Sequence, residues 1–378
     1  MHRPTVILFS LLLAFGTAPA ADPIPIKISS EIKSFDVAPT ATGYAAVFLQ
    51  GQIVAFQILD ATGQPTGGEI ELGNLGVQDP TKVALVQAGN GFVVYLSGNA
   101  GQGGLNALPV GPDGAEIGTM KQVVTNDIHE VLGDWDVTDA GSTHLLVYSK
   151  VGLLFGGLPI SRLFAQMVGL DGAPSGDPHA LSYGQYLMGS VNLSATSTGF
   201  LAAWHEFDEG VRTRPVLSDG RAGPPGPERI QGSRCSGSVA AYGGTGRGAI
   251  VYIGDCASRK PVLRLRVGNE YTDPIPLDID DRKRYRDSFD ADGPRDDVGV
   301  AMELQPLLPG PGFWGTWLFG QYDTGGNRRG PFLDLGAYGV TSYKVQVLWD
   351  AARATYLLHW LGGGPQGQGA YTLRVPAN

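Results

Sequence analysis

Gly43-Tyr44-Ala45-Ala46-Val47-Phe48 decides the fold, because it comes back. It returns as Gly91-Phe92-Val93-Val94-Tyr95-Leu96, as Thr143-His144-Leu145-Leu146-Val147-Tyr148 and as Gly199-Phe200-Leu201-Ala202-Ala203-Trp204. Further copies are Gly248-Ala249-Ile250-Val251-Tyr252-Ile253, the degenerate Asp297-Val298-Gly299-Val300-Ala301-Met302, and Thr355-Tyr356-Leu357-Leu358-His359-Trp360. A short β-rich run that recurs about every 50 residues marks an array of blades rather than one globular core.

Working outward, each copy is followed by a second alternating strand and then by a turn that is itself repeated. Asp60-Ala61-Thr62-Gly63 matches Asp113-Gly114, Asp171-Gly172, Asp219-Gly220 and Asp323-Thr324-Gly325-Gly326. The Asp can accept from the backbone ahead of it and the Gly can take positive φ, as a hairpin loop requires. Short closing strands follow, among them Glu69 to Leu72, Lys121 to Val124, Glu228 to Ile230, Ile275 to Leu277 and Phe332 to Leu335. Four antiparallel strands per unit and seven units predict an all-β, seven-bladed β-propeller. The last unit ends after its third strand, Ala370 to Val375, while Ile24-Pro25-Ile26-Lys27-Ile28 is a spare strand at the other end. Pairing the two closes the ring and removes an open edge.

The pattern resembles the propeller repeats of secreted bacterial proteins. That resemblance implies architecture and says little of activity, since propellers host binding, scaffolding and several chemistries.

Residues 1–20 read as a secretory signal. His2 and Arg3 precede the apolar run Val6 to Phe15, and Ala18-Pro19-Ala20 supplies a small-x-small cleavage site. The run is too short to span a bilayer, which takes roughly 20 apolar residues. The expectation is an exported chain, periplasmic or extracellular, with residues 21–378 forming a single propeller domain. The formal charge of −9 argues against nucleic acid or an anionic membrane as the main partner.

Cys235 and Cys256 flank the turn Gly243-Gly244-Thr245-Gly246, and in an exported protein they read as a disulfide across one hairpin. Ser288-Phe289-Asp290-Ala291-Asp292-Gly293-Pro294-Arg295-Asp296 resembles the calcium loop found between strands of FG-GAP-type propeller repeats. That resemblance implies Ca2+ ligands at Ser288, Asp290, Asp292 and Asp296; an acidic solvated turn is the alternative. Ser288 stands where the loop's first acidic ligand would be, and no other unit carries a copy.

No catalytic set is evident. His129, His144, His179, His205 and His359 lack metal spacing, and no Gly-x-Ser-x-Gly elbow occurs. Topology sends the connections after the second and fourth strands of every blade to one face. His129, Tyr183, His205, Glu206, Arg234, Arg284 and Tyr338 fall in or beside those connections, as do Trp135 and Tyr186 in the same reading. Mixed acid, base, Arg and Tyr on one rim suits an unidentified protein or glycan. Two readings follow: a binding module on the loop-rich face, or a polysaccharide-active enzyme of lyase or glycosidase type with a His/Tyr/Arg site at the channel mouth.

Overall fold

The computed structural model describes residues 22–73, 77–98, 104–127, 129–153, 159–184, 188–224, 228–231, 233–234, 236, 239–243, 248–254, 260–267, 270–279, 285–294, 296–304 and 316–378. Its strands form seven antiparallel sheets, each built mainly from one repeat. The recurring motif is the second strand of every blade: Gly43–Gln50, Gly91–Gly98, Thr143–Leu153, Gly199–Glu206, Ala249–Ile253, Asp297–Leu304 and Thr355–Gly364. These strands are apolar without alternation because a blade stacks on both of their faces. Tyr44 through Leu49 show no exposed surface at all.

The innermost strands are Ile32–Pro39, Pro80–Ala88, Glu130–Asp139, Met188–Thr196, Ala240–Tyr242, Tyr285–Asp292 and Thr341–Asp350. The repeated turns between third and fourth strands form as the sequence predicts. In the first blade the Asp60 carboxylate accepts from the backbone N–H of Thr62 at 2.7 Å and of Gln64 at 3.0 Å, and Gly63 takes a φ of +92°. The Asp323 turn repeats the arrangement with Gly325 and Asn327 as donors. The third repeat has no short closing strand; the eleven-residue strand Pro174–Gly184 does that work.

Ring closure is as expected. The strand Ile24–Ile28 pairs with Gly367–Pro376 through Ile24↔Thr372, Pro25↔Tyr371, Lys27↔Ala370 and Ile28↔Gly369. It thus completes the seventh blade with chain from the opposite end. A second tie crosses the same seam: the Tyr44 hydroxyl donates to Asp350 at 2.6 Å, and Asp350 also pairs with Arg353 at 2.7 Å. Burial, then the Asp350 carboxylate, push the Tyr44 phenol up to about 12. Among the described residues no helix is long and apolar enough to cross a membrane.

Candidate functional site

The seven inner strands surround a central channel of about 1050 Å³. Every inner strand is the first of its blade, so all of them enter the channel from the face that carries the connections after the fourth strands. Lys33, Thr81, Lys82, Thr341 and Lys344 therefore gather at that mouth with Asp134, which lies 3.1 Å from Lys82, while Asp36, Asp136, Asp290 and Asp292 lie deeper along the same wall.

The channel carboxylates have a structural assignment. An inner strand has one edge with no strand beside it, so its N–H groups need acceptors. Side chains of the preceding blade supply them. The backbone N–H of Leu85 donates to Asp36 at 2.9 Å, Val191 to Asp134 at 2.8 Å, and Leu193 to Asp136 at 2.7 Å. Val347 donates to Asp290 at 2.8 Å and Trp349 to Asp292 at 2.7 Å. Ser34 and Ser190 accept from Val83 and Val239 in the same way. Among the described residues these bonds tie the first blade to the second, the third to the fourth, the fourth to the fifth and the sixth to the seventh.

The charges follow from that geometry. Burial raises the Asp134 carboxyl, but Lys82 at 3.1 Å and the Val191 amide more than offset it and hold it below its usual range. Burial dominates at Asp136, pushing it up to about 6, and at Asp292, pushing it up to about 7. Lys82 donates to the Trp135 carbonyl and lies 4.6 Å from that residue's ring centre. Burial disfavours the Lys344 ammonium, yet Asp290, Asp136, Asp134 and Asp36 together hold its pKa above the ordinary lysine value. None of them lies within 4.0 Å of it among the described residues, so Lys344 remains exposed to channel solvent.

The acidic segment read as a calcium loop takes a different form. Asp290 and Asp292 lie in the inner strand Tyr285–Asp292 rather than in a turn, with their carboxylates on the amides of the next blade. Asp296 is in the exposed turn that follows, and the Ser288 side chain lies outside the described residues. Among the described residues no three His, Cys, Asp or Glu gather as a metal site. Cys235 and Cys256 both lie outside the described residues, as do residues 1–20, whose sequence reads as a signal.

Of the rim residues, His129 is exposed in the connection before the third blade, its backbone N–H donating to Asp127 at 2.7 Å. Glu206 is 2% exposed and is engaged from within the fold, accepting from the Trp204 indole at 3.1 Å and Arg212 at 2.5 Å. Arg234 is exposed and donates through Nε to the Asp208 carbonyl at 3.0 Å, so the structure brings Arg234 to the turn after Glu206. His205 precedes that turn, paired in register with Val211. Tyr338 belongs to a short 3-10 helix, Leu335–Tyr338, and packs against the core of the last two blades. Arg284, Tyr186 and the Tyr183 side chain lie outside the described residues. Trp135 is no rim residue: it is buried at 1% exposure in the inner strand of the third blade.

Sequence reading missed the channel lysines and the inter-blade carboxylates. Their signal is a polar–apolar–polar triplet at the head of a repeat, as in Asp134-Trp135-Asp136, Ser190-Val191-Asn192 and Lys344-Val345-Gln346. It also missed Phe207, which stands 59% exposed at the tip of the turn between Glu206 and Gly210.

No family model and no curated protein matches this chain. Solved propellers do resemble it in fold. An α-L-arabinanase of Penicillium chrysogenum, complexed with arabinobiose, is similar over 95% of this chain and 99% of its own, at 8% identity and a TM-score of 0.51. Sqt1 of Saccharomyces cerevisiae is similar over 96% of this chain and 100% of its own, at 8% identity and a TM-score of 0.52. At such identity the likeness is one of fold: this chain is similar to both as a propeller.

Proposed function

We propose that this protein is an exported propeller that binds a polar, glycan-type ligand at the channel mouth on its loop-rich face. One observation carries the reading: a channel of about 1050 Å³ whose mouth on that face offers the hydroxyls of Thr81 and Thr341 beside the ammonium groups of Lys33, Lys82 and Lys344. A concave site with a few convergent polar groups is where ligands of this kind are held. The arabinanase with bound arabinobiose supports the reading to the extent that a propeller of similar size accommodates a saccharide. Export rests on the leader-like residues 1–20.

Binding is favoured over cleavage by what the channel carboxylates do. Proton transfer needs an acid or base within reach of the substrate and able to exchange its proton. Asp134, Asp136, Asp290 and Asp292 instead accept from the backbone of the neighbouring blade.

A glycan array probed with the mature chain tests the proposal, followed by the same array with Lys82→Gln and Lys344→Gln. Capture of a saccharide that weakens in those variants is expected. Capture of none, or capture indifferent to both lysines, overturns it. N-terminal sequencing of the exported protein should begin near Ala21, and an unprocessed Met1 recovered from the cytoplasm would overturn the export reading.

A further inference from the structure

We propose that Phe207 and Arg234 form a preorganised subsite for an acidic sugar residue, the ring stacking on the sugar and the guanidinium pairing with its carboxylate. This rests on the glycan-binding reading and names the ligand class for its rim.

Phe207 is the one large aromatic side chain exposed by more than half among the described residues. A phenylalanine left in water forgoes the stabilisation that burial would supply, so what holds it there matters. The turn that carries it is fastened on every side. Before it, Glu206 is buried against Trp204 and Arg212. After it, the Asp208 carbonyl accepts from Arg234, and the Glu209 carboxylate pairs with Arg229 at 2.9 Å. The Glu209 N–H closes the turn on the Glu206 carbonyl at 3.0 Å, and Asp208 sits at a φ of +63°, a left-handed conformation unusual for a residue with a side chain. With residues 206, 208 and 209 all anchored, the ring of Phe207 stands on a fixed support.

Arg234 supplies the second half. Its Nε donates to the Asp208 carbonyl, one residue from Phe207, which leaves the two terminal nitrogens for a ligand. Among the described residues no carboxylate lies within 4.0 Å of them. A guanidinium fork anchored one residue from an exposed aromatic ring matches a uronate: the C–H face of the sugar would lie on the ring and its carboxylate would take the fork. An apolar protein partner fits less well. Charged groups flank Phe207, and the other large exposed apolar residues among those described, Ile28, Ile53 and Ile117, belong to the seventh, first and second blades, two or three blades away.

Calorimetric titration with tetragalacturonate and with neutral arabinotetraose, on the wild type, Phe207→Ala and Arg234→Gln, tests the pair. Melting temperatures of the variants confirm that the fold is intact, since both side chains are exposed. Galacturonate affinity should fall about tenfold in each variant, roughly 1.4 kcal/mol. Arg234→Gln should also erase the preference for the acidic sugar. Unchanged galacturonate affinity in both variants overturns the subsite, as does wild-type affinity that ignores the carboxylate. If binding fails only in Lys82→Gln and Lys344→Gln, the ligand sits in the channel; the Phe207–Arg234 subsite then falls while the glycan reading stands. If neither sugar binds and an array finds no glycan, both fall.

Discussion

The Asp136 carboxylate accepts a hydrogen bond from the backbone N–H of Leu193, 2.7 Å away and 57 residues later in the chain. It joins the inner strand of the third blade to that of the fourth, where no strand pairing exists. Asp134 makes the same bond to Val191 two residues earlier, so this seam is stapled twice. Equivalent pairs, Asp290 to Val347 and Asp292 to Trp349, staple the sixth blade to the seventh. Truncation leaves a buried amide without an acceptor, which costs about 1–3 kcal/mol. Asp136→Ala should therefore lower unfolding free energy by that amount in urea titration. Asp136→Ala together with Asp290→Ala, on separate seams, should cost close to the sum. A double variant as stable as the wild type would mean the carboxylates do not hold the ring.

The same carboxylates make stability depend on pH. Burial raises Asp292 to about 7 and Asp136 to about 6, against about 3.9 for aspartate in an unfolded chain. Between roughly pH 4 and pH 7 the folded state keeps protons that the unfolded state has released. The stabilisation from these two groups is therefore complete below about pH 4 and is lost as pH rises through their folded values. Denaturant midpoints for Asp292→Ala should show a flatter slope over that window than the wild type, whatever its absolute stability. An identical slope would refute the assignment.

The ring itself was legible in the sequence because its signals are local. The Asp–Gly turns and the apolar second strands each declare themselves within a dozen residues, and counting strands exposed Ile24 to Ile28 as the one left over. The staples were not legible for a related reason. Asp290-Ala291-Asp292 is an acidic triplet before a glycine, which is how a cation-binding turn also reads. What distinguishes it is a partner amide at Val347 and Trp349, a whole repeat away, and a backbone amide leaves no mark in a sequence. Trp135 was placed on the rim for the same reason: between two aspartates it looks like loop, whereas the aspartates bond the next blade and the indole packs inward. The turn at Phe207 escaped notice because its rigidity comes from Arg212, Arg229 and Arg234, none adjacent to it in sequence.

Asp350 is 3% exposed and is shared by Tyr44 of the first blade and Arg353 of its own. Tyr44→Phe keeps the packing and removes one charge-assisted bond, a loss of about 1.5–3 kcal/mol where the acceptor is ionised. Arg353 remains beside the carboxylate, so the lower end of that range is expected. Thermal melts of the variant measure it. No change would show that the hydroxyl contributes nothing to the seam.

The N-terminal strand should latch the whole ring. Without it, the third strand of the seventh blade, Gly367–Pro376, becomes an unpaired edge, and the first blade loses its direct chain connection to the seventh blade's sheet. Ile26, 7% exposed, also leaves a cluster that contains Tyr44, Phe48, Leu357 and Ala370, drawn from blades one and seven alike. The surface pair Lys27–Glu69 at 2.6 Å adds little, since exposed ion pairs are worth about 0–1 kcal/mol. Loss of strand pairing and of the buried isoleucine are the large effects, and Ile→Ala alone at such a site costs about 2–5 kcal/mol. Removing residues 22–28 should therefore lower the melting temperature more than Ile26→Ala does, and should promote association through the bared edge. Light scattering and thermal melts on the two proteins measure both effects. A truncated chain that melts like the intact one and stays monomeric would show that the ring closes by other means.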